Sequence, residues 1–169
     1  MFKFCALSAL LLMVSCATTK PSDAIKVFAF SRPVISGMKS NRDASTQPSI
    51  IHSDGMVNYY IYIEQTEQME VKRLWILGSS YKATLQKVVL PLTSESGGPG
   101  KYKLVETLIP FTPNAVFRII PSEETPGKMP RNKKKLAANH DVLVEIQSGG
   151  KNLIGGNKNF TKLTPIVLQ

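Results

Sequence analysis

The sequence predicts an all-β fold, an antiparallel β-sandwich built as a single domain, and two observations lead to this class. Apolar residues beyond the N-terminal region recur with a period of two, which is typical of strands with one buried face. Clusters of Gly and Pro separate these apolar runs, as turns separate the strands of a sandwich. The composition agrees with a folded chain, because 43% of the 169 residues are hydrophobic and 20% are charged.

The clearest alternation runs from Val57 to Glu64, where the odd-numbered positions would share one face of a strand and the even-numbered positions the other. Similar β-rich runs occupy residues 25–31, 71–77, 81–90, 101–109, 115–120, 142–147 and 160–168. The separators between them include Pro91, Gly97 to Gly100 and the pair Gly149 and Gly150. About seven or eight strands without long helical patterns favour an Ig-like or transthyretin-like sandwich.

Four segments leave the local structure open. Residues 33–56 and 121–135 would form connections longer than a sandwich needs. Residues 64–74 contain good helix formers, so the hairpin turn expected at 66–68 has a short helix as its alternative. Residues 132–138 could likewise form one or two helical turns.

The first residues of the chain have the pattern of a secretory signal peptide. Lys3 provides a positive start, residues 4–14 are apolar, and small residues follow. The apolar run of about 11 residues is too short to span a bilayer. We therefore expect residues 1–15 to be removed from the mature protein.

The end of this run, Leu12-Met13-Val14-Ser15-Cys16, resembles the lipobox of bacterial lipoproteins. The resemblance covers residues 1–16 only, and the mature domain is not recognised. It implies that Cys16 is acylated, with fatty acids such as palmitate, and anchors the protein in a bacterial membrane. Ala17 after the cysteine implies the outer membrane, on either its periplasmic or its surface face. The alternative is cleavage by an ordinary signal peptidase, which small residues around Cys16 also permit.

The predicted organisation is then a lipidated N-terminus and polar tether in residues 16–24, followed by one sandwich domain in residues 25–169. Cys5 lies in the signal peptide, so a lipidated Cys16 leaves no cysteine for a disulfide. A domain of this size can be stable through its hydrophobic core alone.

No residue pattern indicates catalysis, a metal or a cofactor. His52 and His140 each lie beside an acid, but sequence neighbours on an extended or turning backbone point apart and do not form a triad. Zinc and calcium spacings are absent from the sequence. We expect a protein that is not an enzyme.

The chain is basic, with a formal net charge of +9. The positive charges concentrate in one segment without acids: Lys128, Arg131, Lys133, Lys134 and Lys135. Because we expect the protein to be exported, we expect no nucleic-acid partner, and the predicted partners are an envelope protein and a glycan or anionic lipid. A solvated loop that raises solubility is the simpler interpretation of the same segment.

Tyr60 and Tyr62 share the second face of the strand at residues 57–64, and Trp75 lies on a run that could pair with it as a hairpin. The two tyrosines could form an exposed aromatic strip that stacks on sugars or anchors a partner. Packing within the sheet is the alternative role for these rings.

The sequence therefore predicts a non-catalytic, lipid-anchored envelope lipoprotein that acts as an interaction or scaffold subunit of an assembly. In architecture it is similar to the small sandwich lipoproteins that tether secretion machines to the outer membrane. The alternative is a surface or periplasmic module that binds a glycan or another ligand.

Overall fold

The computed structural model describes residues 25–36, 50–52, 55–65, 68–96, 104–125 and 129–168. These residues form twelve β-strands and one short α-helix. In chain order they are β1 (Lys26–Ser36), β2 (Ile50–His52), β3 (Gly55–Gln65), β4 (Met69–Ile76), β5 (Ser79–Lys87), β6 (Leu92–Ser96), β7 (Leu104–Ile109), β8 (Ala115–Glu124), α1 (Arg131–Ala137), β9 (Val142–Ser148), β10 (Lys151–Asn157), β11 (Thr161–Lys162) and β12 (Ile166–Leu168).

Ten strands form one curled sheet, and β6 and β7 form a separate hairpin. The main sheet has the order β10-β9-β4-β5-β8-β3-β1-β11, with β2 beside β3 and β12 beside β1. The predicted all-β, sandwich-like class is confirmed. The sheet is mixed at one edge, where β11 and β12 run parallel to β1.

The main sheet curls until β10 approaches β1. A Cβ atom added at Gly155 in β10 would lie 2.6 Å from Cγ2 of Ile25 and 2.9 Å from Cγ2 of Val27. Asn157 at the end of β10 donates a hydrogen bond from Nδ2 to the carbonyl oxygen of Val27 at 2.9 Å. The absence of a side chain at Gly155 thus permits the backbone of β10 to come this close.

Hydrophobic clusters lie inside the curl and on two parts of its outer face. Inside, the alternate residues of β1, β3, β4, β8 and β9 form the largest cluster. On the outer face of β1, β3 and β8, the base of the β6–β7 hairpin covers Phe30, Tyr62 and Val116. On the outer face of β4, β9 and β10, α1 covers Trp75 and Leu143. Several strands are therefore buried on both faces, which a two-layer sandwich does not require.

Tight turns are formed where glycine permits a positive φ. The predicted turn at Gly149 and Gly150 is confirmed, since it joins β9 to β10 with φ values of 54° and 74°. Leu77 and Gly78 join β4 to β5 in the same way, with φ values of 48° and 88°. Two positive φ angles match the right-handed twist of a hairpin.

Other connections differ from the sequence prediction. β2, β6 and β10 were not expected as strands, and the segment predicted as a long connection at 33–56 contains the end of β1, all of β2 and the start of β3. In the second long connection, Pro121 belongs to β8 and faces Ala83 beside a register shift. β3 and β4 do not pair as a hairpin, because β8 and β5 lie between them.

Candidate functional site

The predicted basic segment is mainly a helix, as the alternative for residues 132–138 anticipated. α1 begins after Pro130 and packs through Leu136 and Ala137 on the outer face of the sheet. Pro130 at the N-cap suits a helix start, since it fixes an extended backbone there and its missing N–H is not needed. Lys134 and Lys135 lie in the last turn, where positive charge interacts favourably with the helix dipole.

Lys133 does not belong to an exposed basic surface, which corrects its predicted role. Its side chain is only 14% exposed, and Nζ lies 2.6 Å from Oε2 of Glu145 in β9. The same Nζ lies 5.2 Å from the centroid of the Trp75 ring. Lys133 therefore holds α1 against β9 and β4, as an ion pair and as a cation over an aromatic face.

Three predicted cations remain exposed on or beside this helix: Arg131, Lys134 and Lys135. The helix is short, but its apolar side and Lys133 fix it to a rigid sheet. The exposed cations thus form a positioned group, which we call the basic helix surface. Lys128 lies outside the described residues, as does Cys16.

The structure contradicts the exposed aromatic strip. Tyr62 is 4% exposed and packs edge-on against Phe30, with ring centroids 6.1 Å apart. Burial is the main cause that raises the pKa of Tyr62 above its ordinary value. Tyr60 is half-buried, and the guanidinium of Arg118 lies 5.6 Å from its ring centroid. Both rings serve packing because the β6–β7 hairpin covers the face that the alternation assigned to solvent.

At the end of the sheet where β1 begins, here called the proximal end, a polar network surrounds Glu64. Its carboxylate accepts hydrogen bonds from the hydroxyl of Thr112 and, at 2.9 Å, from Nδ2 of Asn114. Nζ of Lys26 lies 3.7 Å from its other oxygen. The bond from Thr112, followed by Asn114 and Lys26, lowers the pKa of Glu64 against the opposing effect of burial. The network fixes the loop between β7 and β8, which carries the exposed Phe111.

The opposite end, here called the distal end, has an open pocket of about 460 Å³. Tyr59 and Phe160 form an aromatic wall with ring centroids 4.6 Å apart. Asp141 and Lys162 also line the pocket, and Oδ2 of Asp141 accepts a hydrogen bond from the backbone N–H of Phe160 at 3.2 Å. Burial, and then the charge of Asp141, raise the pKa of Tyr59.

This pocket could not be found in the sequence. Tyr59 was assigned to the inner face of its strand, and Phe160 is distant from it along the chain. The pairing of β11 with β1 brings the two rings together. No local pattern indicates a parallel pairing of this kind, because it depends on contacts distant in the sequence.

His140 has a structural role. Its Nδ1 donates a hydrogen bond to the carbonyl oxygen of Leu136 at 2.8 Å, near the end of α1. The side chain of His52 lies outside the described residues. Within the part of the chain that the structure describes, no group of three or more His, Cys, Asp or Glu residues could hold a metal ion.

No protein-family model, curated protein or solved structure matches this chain. Among the residues whose structure is described, no helix has both the length and the apolar character needed to cross a membrane.

Proposed function

We propose that this protein is a non-catalytic lipoprotein of the bacterial envelope, anchored through Cys16 in the outer membrane, that serves as an interaction subunit of an envelope assembly. The observation that carries the proposal is the basic helix surface. Arg131, Lys134 and Lys135 are exposed on a helix that the Lys133–Glu145 pair holds in place. Positioned cations of this kind favour an acidic surface on a partner protein.

The position of Ile25 supports the anchor. Ile25, nine residues after Cys16, is only 6% exposed and belongs to the interior cluster. A segment of that length reaches at most about 30 Å even when fully extended. A domain on this tether stays close to the membrane, and the multiple acylation of bacterial lipoproteins would make the anchor stable.

Charge reversal on the helix tests the interaction. The variant Lys134→Glu with Lys135→Glu is compared with Lys151→Glu with Lys158→Glu, two exposed lysines at the ends of β10 that change the net charge equally. In-cell crosslinking with a C-terminal tag, followed by mass spectrometry, identifies the partner. Affinity is then measured with purified partner at low and high salt.

The helix variant should bind at least about tenfold more weakly, because like charges across an interface cost several kcal/mol. The loss should shrink as salt rises, since exposed charges are screened. Equal loss in both variants, or no loss in the helix variant, would contradict the role of the helix. Cys16→Ala should move the protein out of the membrane fraction, and unchanged fractionation would contradict the anchor.

A second candidate function, glycan binding, is favoured by the distal pocket. Its aromatic wall beside a carboxylate and an ammonium group suits a sugar ring, which combines apolar faces with hydroxyl groups. Tyr59→Ala should abolish binding on an envelope glycan array while Tyr60→Ala preserves it. Absence of any glycan bound by the unaltered protein would exclude this function.

A further inference from the structure

The two most exposed large apolar side chains of the described residues lie at the base of the β6–β7 hairpin. Val89 is 87% exposed and Phe111 is 78% exposed. Val89 lies in the connection from β5 to β6, and Phe111 in the connection from β7 to β8. A groove of about 330 Å³ between these connections is lined by Val88, Leu90 and Phe111 among others. We call Val89 and Phe111 the proximal apolar pair.

The backbone on both sides of the groove is fixed. Thr112 directly follows Phe111, and its hydroxyl group donates a hydrogen bond to the carboxylate of Glu64. Val88, directly before Val89, donates its backbone N–H to the carbonyl oxygen of Val116 at 3.0 Å. Because their neighbours are held in this way, Val89 and Phe111 project from an ordered surface.

This surface lies at the end of the sheet where β1 begins. Glu64, which holds the Phe111 loop, also contacts Lys26, the first residue of β1. Lys26 is ten residues after Cys16 in the sequence, and a segment of that length spans at most about 35 Å. Lys26 and Lys87 add exposed positive charge at the same end of the sheet.

We propose that the proximal apolar pair inserts into the surface of the bilayer to which the protein is anchored, so that the domain sits on the membrane by its proximal end. This inference rests on the lipid anchor of the proposed function. An exposed aromatic ring and an aliphatic side chain flanked by lysines match the interface, where apolar groups meet acyl chains and lysines meet anionic head groups. The basic helix surface and the distal pocket would then remain accessible to partners.

Tryptophan fluorescence with brominated lipids tests the orientation. The mature, lipidated protein carrying Phe111→Trp is reconstituted in vesicles of phosphatidylethanolamine and phosphatidylglycerol, with or without brominated acyl chains. The matched control is Ile35→Trp, an exposed aliphatic position nine residues along β1 from Lys26 and therefore about 30 Å away. Trp75, the one native tryptophan, is buried and provides a constant background.

We expect the emission that F111W adds to shift to the blue and to lose most of its intensity in brominated vesicles, while the emission added by I35W changes little. Val89→Trp should behave as F111W does. This second variant shows that the result does not come from a local structural change caused by the substitution at position 111. Equal quenching at both ends, or no quenching of F111W and V89W, would overturn the inference. A blue shift that depends on protein concentration, without lipid quenching, would assign the pair to a protein contact and also overturn it.

Intact mass spectrometry of the same samples separates this inference from the proposed anchor. An acylated Cys16 with unquenched F111W would contradict membrane insertion and leave the anchor intact. A chain without acyl groups on Cys16 would contradict the anchor and remove the basis of the inference.

Discussion

Replacing Lys133 with Met should loosen α1 from the sheet. The substitution removes the ammonium group that lies 2.6 Å from Glu145 and 5.2 Å from the Trp75 ring centroid, and it keeps a flexible apolar side chain of similar length. Because the side chain of Glu145 is only 19% exposed, water would compensate only partly for the ammonium group that its carboxylate loses.

Two contributions set the size of the effect. A largely buried carboxylate that loses its partner costs about 1–3 kcal/mol. The cation over the Trp75 ring contributes about 0.5–1 kcal/mol, part of which the Met side chain recovers by packing on the same ring. We therefore expect the free energy of unfolding to fall by about 2 kcal/mol, which lowers Tm by about 4–8 °C for a domain of this size.

Urea denaturation of four proteins measures this prediction: the unaltered protein, Lys133→Met, Glu145→Gln and the double variant. The double-mutant cycle should give a coupling free energy of about 1–3 kcal/mol, because the two groups contact each other directly. Lys134→Met on the exposed side of the helix is the control and should change stability by less than about 0.5 kcal/mol. Additive single variants, or equal effects of Lys133→Met and Lys134→Met, would refute the proposed role of Lys133.

Two further predictions concern the tyrosines and Glu64. Tyr62→Ala should lower the free energy of unfolding by about 3–5 kcal/mol, because it leaves a cavity under the β6–β7 hairpin. Tyr60→Ala should lower it by about 1–2 kcal/mol, because this ring is only half-buried. Small and similar losses for both variants in thermal denaturation would instead support an exposed aromatic strip. Because the folded pKa of Glu64 is lowered, its carboxylate contributes stability above the unfolded pKa that is lost as pH falls through the folded pKa. Glu64→Gln should thus be less stable than the unaltered protein at pH 7, and the difference should shrink below about pH 4.5. Glu124→Gln, at an exposed site, should show no such loss of stability. A difference that stays the same in denaturation from pH 7 to 3 would contradict this role of Glu64.

Much of the secondary structure could be predicted because period two is a local property. The alternation from Val57 to Glu64 corresponds to the middle of β3, and the glycine pair at 149–150 forms the turn that its conformational freedom suggests. β6 and β10 were missed for local reasons as well. β6 has only five residues, four of them polar, and lacks an apolar alternation, whereas β10 contains Gly155 and Gly156, and glycine is unfavourable in strands.

The candidate site was predicted less well, since exposure depends on what covers a face. Periodicity places Tyr60 and Tyr62 on one side of β3, but it does not indicate that a hairpin from residues 92–109 packs over that side. The same limit applies to Lys133, whose acid partner is twelve residues away on a different element.

The sequence by itself determined the all-β class, the positions of most strands, the basic segment and the signal-like N-terminus. Each of these depends on residues close together in the chain. Only the tertiary structure decided the curl that brings Gly155 against Ile25, the parallel edge that joins Tyr59 to Phe160, and the proximal apolar pair. The physical reason is that strand pairing and burial are set by contacts between distant residues, and one alternating pattern is compatible with many pairings until the whole core is packed.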